Sequence, residues 1–277
     1  MTTQDPATPK TVNSMASNAI ELLLKRDRLV VIAGVFAVVA VAWAYIIYLD
    51  RINLDQSVGA MGMASANIRS WSLADFWLMF LMWAVMMTAM MVPTAAPMIL
   101  LFASVYRKRR EKQQPYVATS VFLAGYILVW SGFAALATLG NWGLHQASLM
   151  SSMMGESTSS YLGGGLLLAA GVFQWSRLKY VCLNHCRSPI GYVMSSWREG
   201  RVGALRMGME HGAFCLGCCW VLMSLLFALG VMNLLWIAGL AVFVLAEKIA
   251  PQGERVSRAT GLLLVAWGAW TMLNGAF

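Results

Sequence analysis

Cysteine and histidine side chains are concentrated in one short stretch of this chain. All five cysteines and two of the three histidines occur there. Thiolate and imidazole groups are the side chains that bind soft and borderline metal ions, so this stretch predicts metal chemistry. The pattern is Cys182-x-x-His185-Cys186, followed by His211-x-x-x-Cys215-x-x-Cys218-Cys219.

Helical spacing would bring these side chains onto shared faces. In a helix, Cys182 and Cys186 are neighbours one turn apart, and so are His211, Cys215 and Cys219. If the two stretches form adjacent antiparallel helices, Cys182, Cys186, His211 and Cys215 can form a trigonal or tetrahedral site. Cysteine also packs as a small hydrophobic residue, but five cysteines interleaved with two histidines favour metal binding.

Methionines bear on which metal is bound. A sulfur-rich site of low coordination number favours Cu(I) and also suits Zn²⁺, and thioether sulfur is a better ligand for Cu(I) than for Zn²⁺. The chain has 20 methionines, which are also ordinary flexible filler in helix bundles. Copper is therefore favoured and zinc comes second. A possible copper relay follows one face of the second apolar stretch: Met79, Met82, Met86 and Met90.

Composition predicts a membrane protein. Apolar residues make up 59% of the 277 residues and charged residues 12%, with a mean hydropathy of +0.65. These values lie outside the range of soluble domains. We expect an all-α, polytopic transmembrane helix bundle with a polar cytoplasmic segment at 1–28 and a single membrane domain at 29–277. About seven spans are expected near 29–49, 74–104, 116–139, 161–181, 208–230, 234–250 and 257–275.

The net charge of +8 reflects topology. With the N-terminus in the cytoplasm and the C-terminus on the periplasmic side, every Lys and Arg except Arg51 and Arg69 falls on the cytoplasmic side. This asymmetry is the positive-inside rule, and it predicts a multi-pass protein of the bacterial inner membrane. The basic balance therefore does not indicate nucleic acid.

Proline and glycine residues also predict features of the helices. The second apolar stretch is too long for an upright span, so Pro93 and Pro97 are expected to kink or interrupt it. The small residues Gly163, Gly164, Gly165 and Gly171 permit close packing of the fourth span against a neighbour.

Ionisable residues are expected near the cytoplasmic interface, where pairing with Arg201 or Arg206 is easy. A structural role is favoured for Glu247 and Lys248, whereas Glu210 could instead orient His211. The chain has no glycine-rich phosphate loop, which argues against a nucleotide as partner. It also has no series of acidic residues through its spans, which disfavours a proton-coupled pump.

Several segments resemble a bacterial family of predicted metal-binding integral membrane proteins. They are WAVMMTAMMVPTAAPM (83–98), KYVCLNHCRSPIGYV (179–193), SSWREGRVGALRMGMEHGAFCLGCCWVLM (195–223), GVMNLLW (230–236) and AEKIAPQG (246–253). The resemblance covers roughly residues 70 to 277. It implies that the metal ligands are Cys182, His185, Cys186, His211, Cys215, Cys218 and Cys219.

Three functions follow from these observations. The favoured one is a non-enzymatic protein surrounded by membrane lipid, which buffers or relays Cu(I) or delivers it to a metallochaperone or metalloenzyme partner. The first alternative is a membrane oxidoreductase that uses the thiols or a bound metal for redox chemistry. The second alternative is a membrane scaffold without a bound metal.

Overall fold

The computed structural model describes residues 29–52, 72–111, 119–147 and 159–275, and within these ranges the structure is helical with no strand. The all-α fold class is therefore confirmed. The helices are α1 Leu29–Ile52, α2 Leu73–Glu111, α3 Thr119–Gln146, α4 Ser160–Phe173, α5 Arg177–Arg187, α6 Pro189–Ser196, α7 Gly200–Ser224, α8 Leu226–Leu229, α9 Leu234–Ile249 and α10 Gly253–Asn274.

Five helical segments in the described part of the chain are long and apolar enough to cross a membrane: α1, α2, α3, α7 together with α8, and α10. The fourth predicted span forms two helices instead, because the chain turns between α4 and α5. At 1.5 Å per residue, α4 is about 21 Å long and α9 about 24 Å, both short of the roughly 30 Å hydrocarbon core. Seven spans, and the sides on which the termini lie, stay predictions. The 1–28 segment lies outside the described residues.

Helix α2 runs through both prolines without a break. The expected interruption at Pro93 and Pro97 does not occur, and the helix has 39 residues, or about 58 Å at the usual helical rise. Polar side chains hydrogen-bond its backbone near the prolines, since Thr94 Oγ1 and Tyr126 Oη both donate to the Met91 carbonyl.

Glycines set the closest helix contacts. A Cβ added to Gly208 of α7 would collide with the Phe122 carbonyl of α3, and one added to Gly125 of α3 would collide with the Leu205 carbonyl of α7. Helices α4 and α10 also approach closely, because a Cβ on Gly164 would lie 3.0 Å from the Gly268 carbonyl oxygen. The close packing expected around the fourth apolar stretch is confirmed, with α10 as the neighbour.

The turn between α4 and α5 is held by polar contacts. Ser176 caps α5 by accepting a hydrogen bond from the Lys179 amide, and Ser257 of α10 donates to the Gln174 side chain. The Lys179 ammonium then forms a buried ion pair with Glu247 of α9 at 2.8 Å. These contacts fix where α5, which carries three of the candidate ligands, lies against the bundle.

Substituting Gly208 tests the contact between α3 and α7. We expect Gly208→Ala to destabilise the protein by about 1–3 kcal/mol, because its methyl group collides with backbone that cannot move independently. The thermal unfolding midpoint in detergent is the measurement. Gly132→Ala is the matched control, since a Cβ there meets nothing within 4 Å. Equal midpoints for the two variants would contradict the close contact.

The ion pair between α5 and α9 makes a second prediction. Glu247→Ala leaves the Lys179 ammonium buried without its counter-charge, which is expected to cost about 3–5 kcal/mol in the free energy of unfolding. The double variant Lys179→Met with Glu247→Leu should recover much of this loss. Arg206→Ala serves as the control, because its pair with Glu210 is exposed and pairs of that kind contribute less than about 1 kcal/mol.

Candidate metal centre

Thiols from two helices meet inside the bundle. The Cys186 thiol of α5 lies close enough to Cys215 and Cys218 of α7 to interact with both thiols, and the Cys219 thiol interacts in the same way with Cys215 and Cys218. The three cysteines of α7 are buried and Cys186 is half-buried; all four are free thiols. We call Cys186, Cys215, Cys218 and Cys219 the thiol cluster.

The orientation of the cluster follows from the α7 backbone. The thiols of Cys218 and Cys219 both donate to the Cys215 carbonyl oxygen at 3.0 Å. Because these residues are three and four positions after Cys215, both side chains lie along the same turn of the helix. Two adjacent cysteines, which a simple helical projection separates by about 100°, therefore approach one another.

Cys182 does not join the cluster. Its sulfur lies against Gly217 of α7, where an added Cβ would be only 2.7 Å from it. Gly217 therefore permits the close approach of α5 to α7. Within the described ranges the Cys182 thiol makes no hydrogen bond to the cluster, so the expected set of Cys182, Cys186, His211 and Cys215 is not assembled.

The two imidazoles lie among aromatic rings rather than against the thiols. His185 stacks on Phe214 with ring centroids 3.7 Å apart and meets the edge of Tyr192 at 4.8 Å. His211 lies near Tyr126 at 5.9 Å and near Tyr192 at 6.2 Å. His185 Nε2 and His211 Nδ1 are buried, and in the described part of the chain neither has a hydrogen-bond partner. Burial lowers the pKa of the His185 imidazole, which favours the neutral form that binds metals.

A lysine expected near the cytoplasmic interface lies at the thiol cluster. Lys248 is buried in α9, and its Nζ donates to the Cys215 sulfur and to Thr94 Oγ1, each at 2.9 Å. The Tyr126 hydroxyl lies 3.0 Å from the same sulfur. Lys248, Tyr126 and Thr94 were not predicted from the sequence as site residues. One signal was available for Lys248, since a lysine in an apolar helix is costly unless it has a function or a partner.

The two acidic residues considered in the sequence analysis both form ion pairs. Glu247 pairs with Lys179 rather than with Arg201 or Arg206, and it is 1% exposed. Glu210 forms ion pairs with Arg198 at 3.0 Å and with Arg206 at 3.3 Å. The pairing of Glu210 with Arg206 agrees with the sequence-based alternative, and no hydrogen bond to His211 appears in the described ranges.

The methionine stripe is buried but does not itself reach the thiols. Met79, Met82, Met86 and Met90 are each at most 5% exposed. The α2 methionine in contact with the cluster is Met91, whose sulfur lies 4.0 Å from the Cys219 sulfur. Met90 and Met91 differ by about 100° around the helix. The predicted methionine relay, which ends at Met90, therefore misses by one residue the methionine that contacts Cys219.

Nowhere in ranges 29–52, 72–111, 119–147 and 159–275 do three or more His, Cys, Asp or Glu side chains form a group arranged to hold a metal ion. Two sulfurs on one ion, with metal–sulfur bonds of about 2.3 Å as for zinc, are at most roughly 4.6 Å apart. The cluster thiols must therefore come within that spacing to bind one ion.

Comparison with known proteins now identifies the family. The family model PpoB2, described as a copper chaperone, matches residues 80–271, which is more than half of the chain and includes the thiol cluster, Tyr126 and Lys248. No match was found among curated proteins or among solved structures. The chain belongs to the copper chaperone family.

Proposed function

We propose that this protein is a copper chaperone of the bacterial inner membrane that holds Cu(I) as cargo at the thiol cluster. It delivers the ion to a metalloenzyme or to another metallochaperone. The observation that carries the proposal is the burial of three cysteines, Cys215, Cys218 and Cys219, on α7, beside Cys186 of α5, whose thiol interacts with Cys215 and Cys218. Together with the family, that grouping of thiols supports binding of a soft monovalent ion between two helices.

The chemistry of the donors supports copper. Cu(I) prefers soft sulfur ligands and accepts low coordination numbers, so two thiolates from different helices suffice to hold it. Thiols must lose their protons when they bind a metal. In the proposed site the four cluster thiols supply the sulfur donors. His185 and His211 flank the cluster and stay predicted ligands that require side-chain movement, whereas Cys182 lies outside the cluster and is not a donor in the proposed site.

The proposed location at the cytoplasmic side rests on charge. Basic residues of the described segments cluster around the helix ends nearest the thiols, as Arg187, Arg198 and Arg206 show. The positive-inside rule places such segments in the cytoplasm. Thiols there are kept reduced, which is the form that binds Cu(I).

Methionine on α2 supports a path for the ion. The Met91 thioether lies next to the Cys219 thiol, and the buried methionines Met90, Met86, Met82 and Met79 continue along α2. Thioethers bind Cu(I) more weakly than thiolates do, and their flexible side chains adapt to a moving ligand. A thioether, which binds Cu(I) weakly, is suited to transfer of the ion when it lies beside a thiol that binds the ion more strongly.

Copper content tests the proposed site. Protein purified in detergent and loaded with Cu(I) under reducing conditions should retain copper in near-stoichiometric amount, as measured by elemental analysis. The double variant Cys186→Ser with Cys215→Ser should retain roughly tenfold less, since serine removes the soft sulfur donors while nearly preserving side-chain volume.

Cys182→Ser is the matched control for this experiment. The Cys182 sulfur lies outside the thiol cluster, so this variant should retain copper close to the wild-type amount. Undiminished copper in the Cys186 and Cys215 double variant would overturn the proposed site, whatever the control shows.

The role of Met91 makes a separate prediction. Met91→Leu keeps a similar volume but removes the thioether next to Cys219, so the affinity for Cu(I) should fall several-fold and at most about tenfold. Met79→Leu is the control, because the Met79 sulfur accepts a hydrogen bond from Asn141 instead of contacting a thiol. Competition with a chromogenic Cu(I) chelator gives both affinities, and indistinguishable values would exclude Met91 as a ligand.

A further inference from the structure

A short helix covers the two histidines beside the thiol cluster. Tyr192, on the buried face of α6, meets the edge of the His185 ring at 4.8 Å and lies 6.2 Å from the His211 ring. His185 immediately precedes Cys186, and His211 is one helical turn before Cys215. Tyr192, which is 3% exposed, therefore lies across the residues that border the proposed copper site.

The covered imidazoles have unused ligand atoms. His185 Nε2 and His211 Nδ1 are buried and have no hydrogen-bond partner within the described segments. An imidazole nitrogen without a partner is a candidate donor for a soft or borderline metal ion. An ion that passed between α6 and α7 would find these two nitrogens next to the cysteines.

Helix α6 is a separate piece of structure between two non-helical residues. Ser188 (φ −115°, ψ 65°) joins it to α5, and Trp197 (φ −62°, ψ 129°) ends it ahead of α7. Changes of the backbone dihedrals at such junctions let a short helix turn as a unit. Of the eight residues of α6, Tyr192 and Val193 are buried. The contacts of Tyr192 therefore weigh heavily in holding α6 against the bundle.

The Tyr192 hydroxyl fastens α6 to α7. It donates to the Met207 carbonyl oxygen at 3.0 Å and to Glu210 Oε2 at 3.1 Å. The other carboxylate oxygen of Glu210 accepts hydrogen bonds from Arg198 at 3.0 Å and from Arg206 at 3.3 Å. Hydrogen bonds to a carboxylate are stronger than those between neutral groups. We call the contact of the Tyr192 hydroxyl with Glu210 the Tyr192 latch.

We infer that α6 is a cover over the metal centre and that the Tyr192 latch controls how fast Cu(I) enters and leaves, an inference that rests on the proposed copper site. The cluster cysteines of α7 are at most 2% exposed, so an ion cannot exchange with them unless part of the structure opens. Turning α6 away at Ser188 uncovers both imidazoles. It also opens a way to Cys186, two residues before that junction.

A cover changes rates without changing affinity. The Tyr192 latch is made in the closed protein whether or not the ion is bound, so its loss destabilises the closed form equally in both cases. An equal effect on the free and the bound form leaves the dissociation constant unchanged. More frequent opening raises the association and the dissociation rate together. If Tyr192 only stabilised the site, its loss would instead weaken binding.

Tyr192→Phe tests the cover, using the full chain in detergent. This variant keeps the ring against both histidines and removes only the hydroxyl. Stopped flow measures the loss of Cu(I) to an excess of a chromogenic chelator and the uptake of Cu(I) by the metal-free protein. Both rate constants should rise at least about tenfold, which is the effect of losing one hydrogen bond to a charged group. The dissociation constant, the ratio of the two rate constants, should stay within about threefold of the wild-type value.

Tyr180→Phe is the matched control, because it also removes a tyrosine hydroxyl that joins two helices. That hydroxyl accepts a hydrogen bond from Arg258 Nε at 2.8 Å, which links α5 to α10 and does not involve α6. Its copper rates should equal those of the wild type. Unchanged rates in Tyr192→Phe overturn the inference. So does an equal rise in Tyr180→Phe, or a weaker affinity of Tyr192→Phe with an unchanged association rate.

Hydrogen–deuterium exchange followed by mass spectrometry gives a second readout that needs no copper. Amides of residues 189–196 should exchange faster in Tyr192→Phe than in the wild type, whereas those of 207–219 should not. Equal exchange of 189–196 in the two proteins also overturns the inference. If Tyr192→Phe is not monodisperse on gel filtration, Arg198→Gln takes its place, because it loosens Glu210 and should change both rates in the same direction.

Failure of the inference is distinguishable from failure of the proposed function. If wild type and the Cys186 and Cys215 double variant bind Cu(I) equally, the copper site itself is wrong. If the double variant loses Cu(I) while Tyr192→Phe exchanges the ion at the wild-type rates, the site stands and the cover is wrong.

Discussion

A charged group enclosed by apolar helices must be given partners, and this constraint organises the centre of the bundle. Lys248 on α9 meets the requirement with Thr94 on α2 and Cys215 on α7. One ammonium thereby connects three helices at a single point. Removing such a group from water costs several kcal/mol unless its hydrogen-bonding capacity is used, so the helices around it are constrained in rotation as well as in distance.

Glu247, the residue before Lys248, extends the same constraint to a fourth helix, α5. Glu247 faces α5 and holds Lys179, and Cys186 follows Lys179 by seven residues, or about two helical turns. The Glu247 contact therefore sets the position of Cys186, as the Lys248 contact sets that of Cys215. Two consecutive residues of opposite charge on α9 bring one thiol of α5 and one of α7 together.

The helical class and the importance of the cysteines follow from sequence, because apolar composition and helical spacing are local properties. Which thiols come together does not follow from the sequence. Cys182 and Cys186 are one helical turn apart, and only the packing of α5 against Gly217 decides which of them lies near the α7 thiols. The contact of Lys248 with Cys215 does not follow from sequence either, because it depends on how α9 packs against α7. The two prolines of α2 were expected to kink or interrupt the helix, which continues through both without a break.

A protein that passes on a bound ion needs ligands that are stable both while the ion is bound and after the ion has left. In this bundle the three cluster sulfurs of α7 have partners supplied by the protein: the Cys215 carbonyl for Cys218 and Cys219, and Lys248 and Tyr126 for Cys215. Buried polar groups that keep such partners do not incur the desolvation cost of an orphaned donor or acceptor. In the proposed function, release of the ion therefore exchanges metal–sulfur bonds for these hydrogen bonds once the thiolates regain their protons.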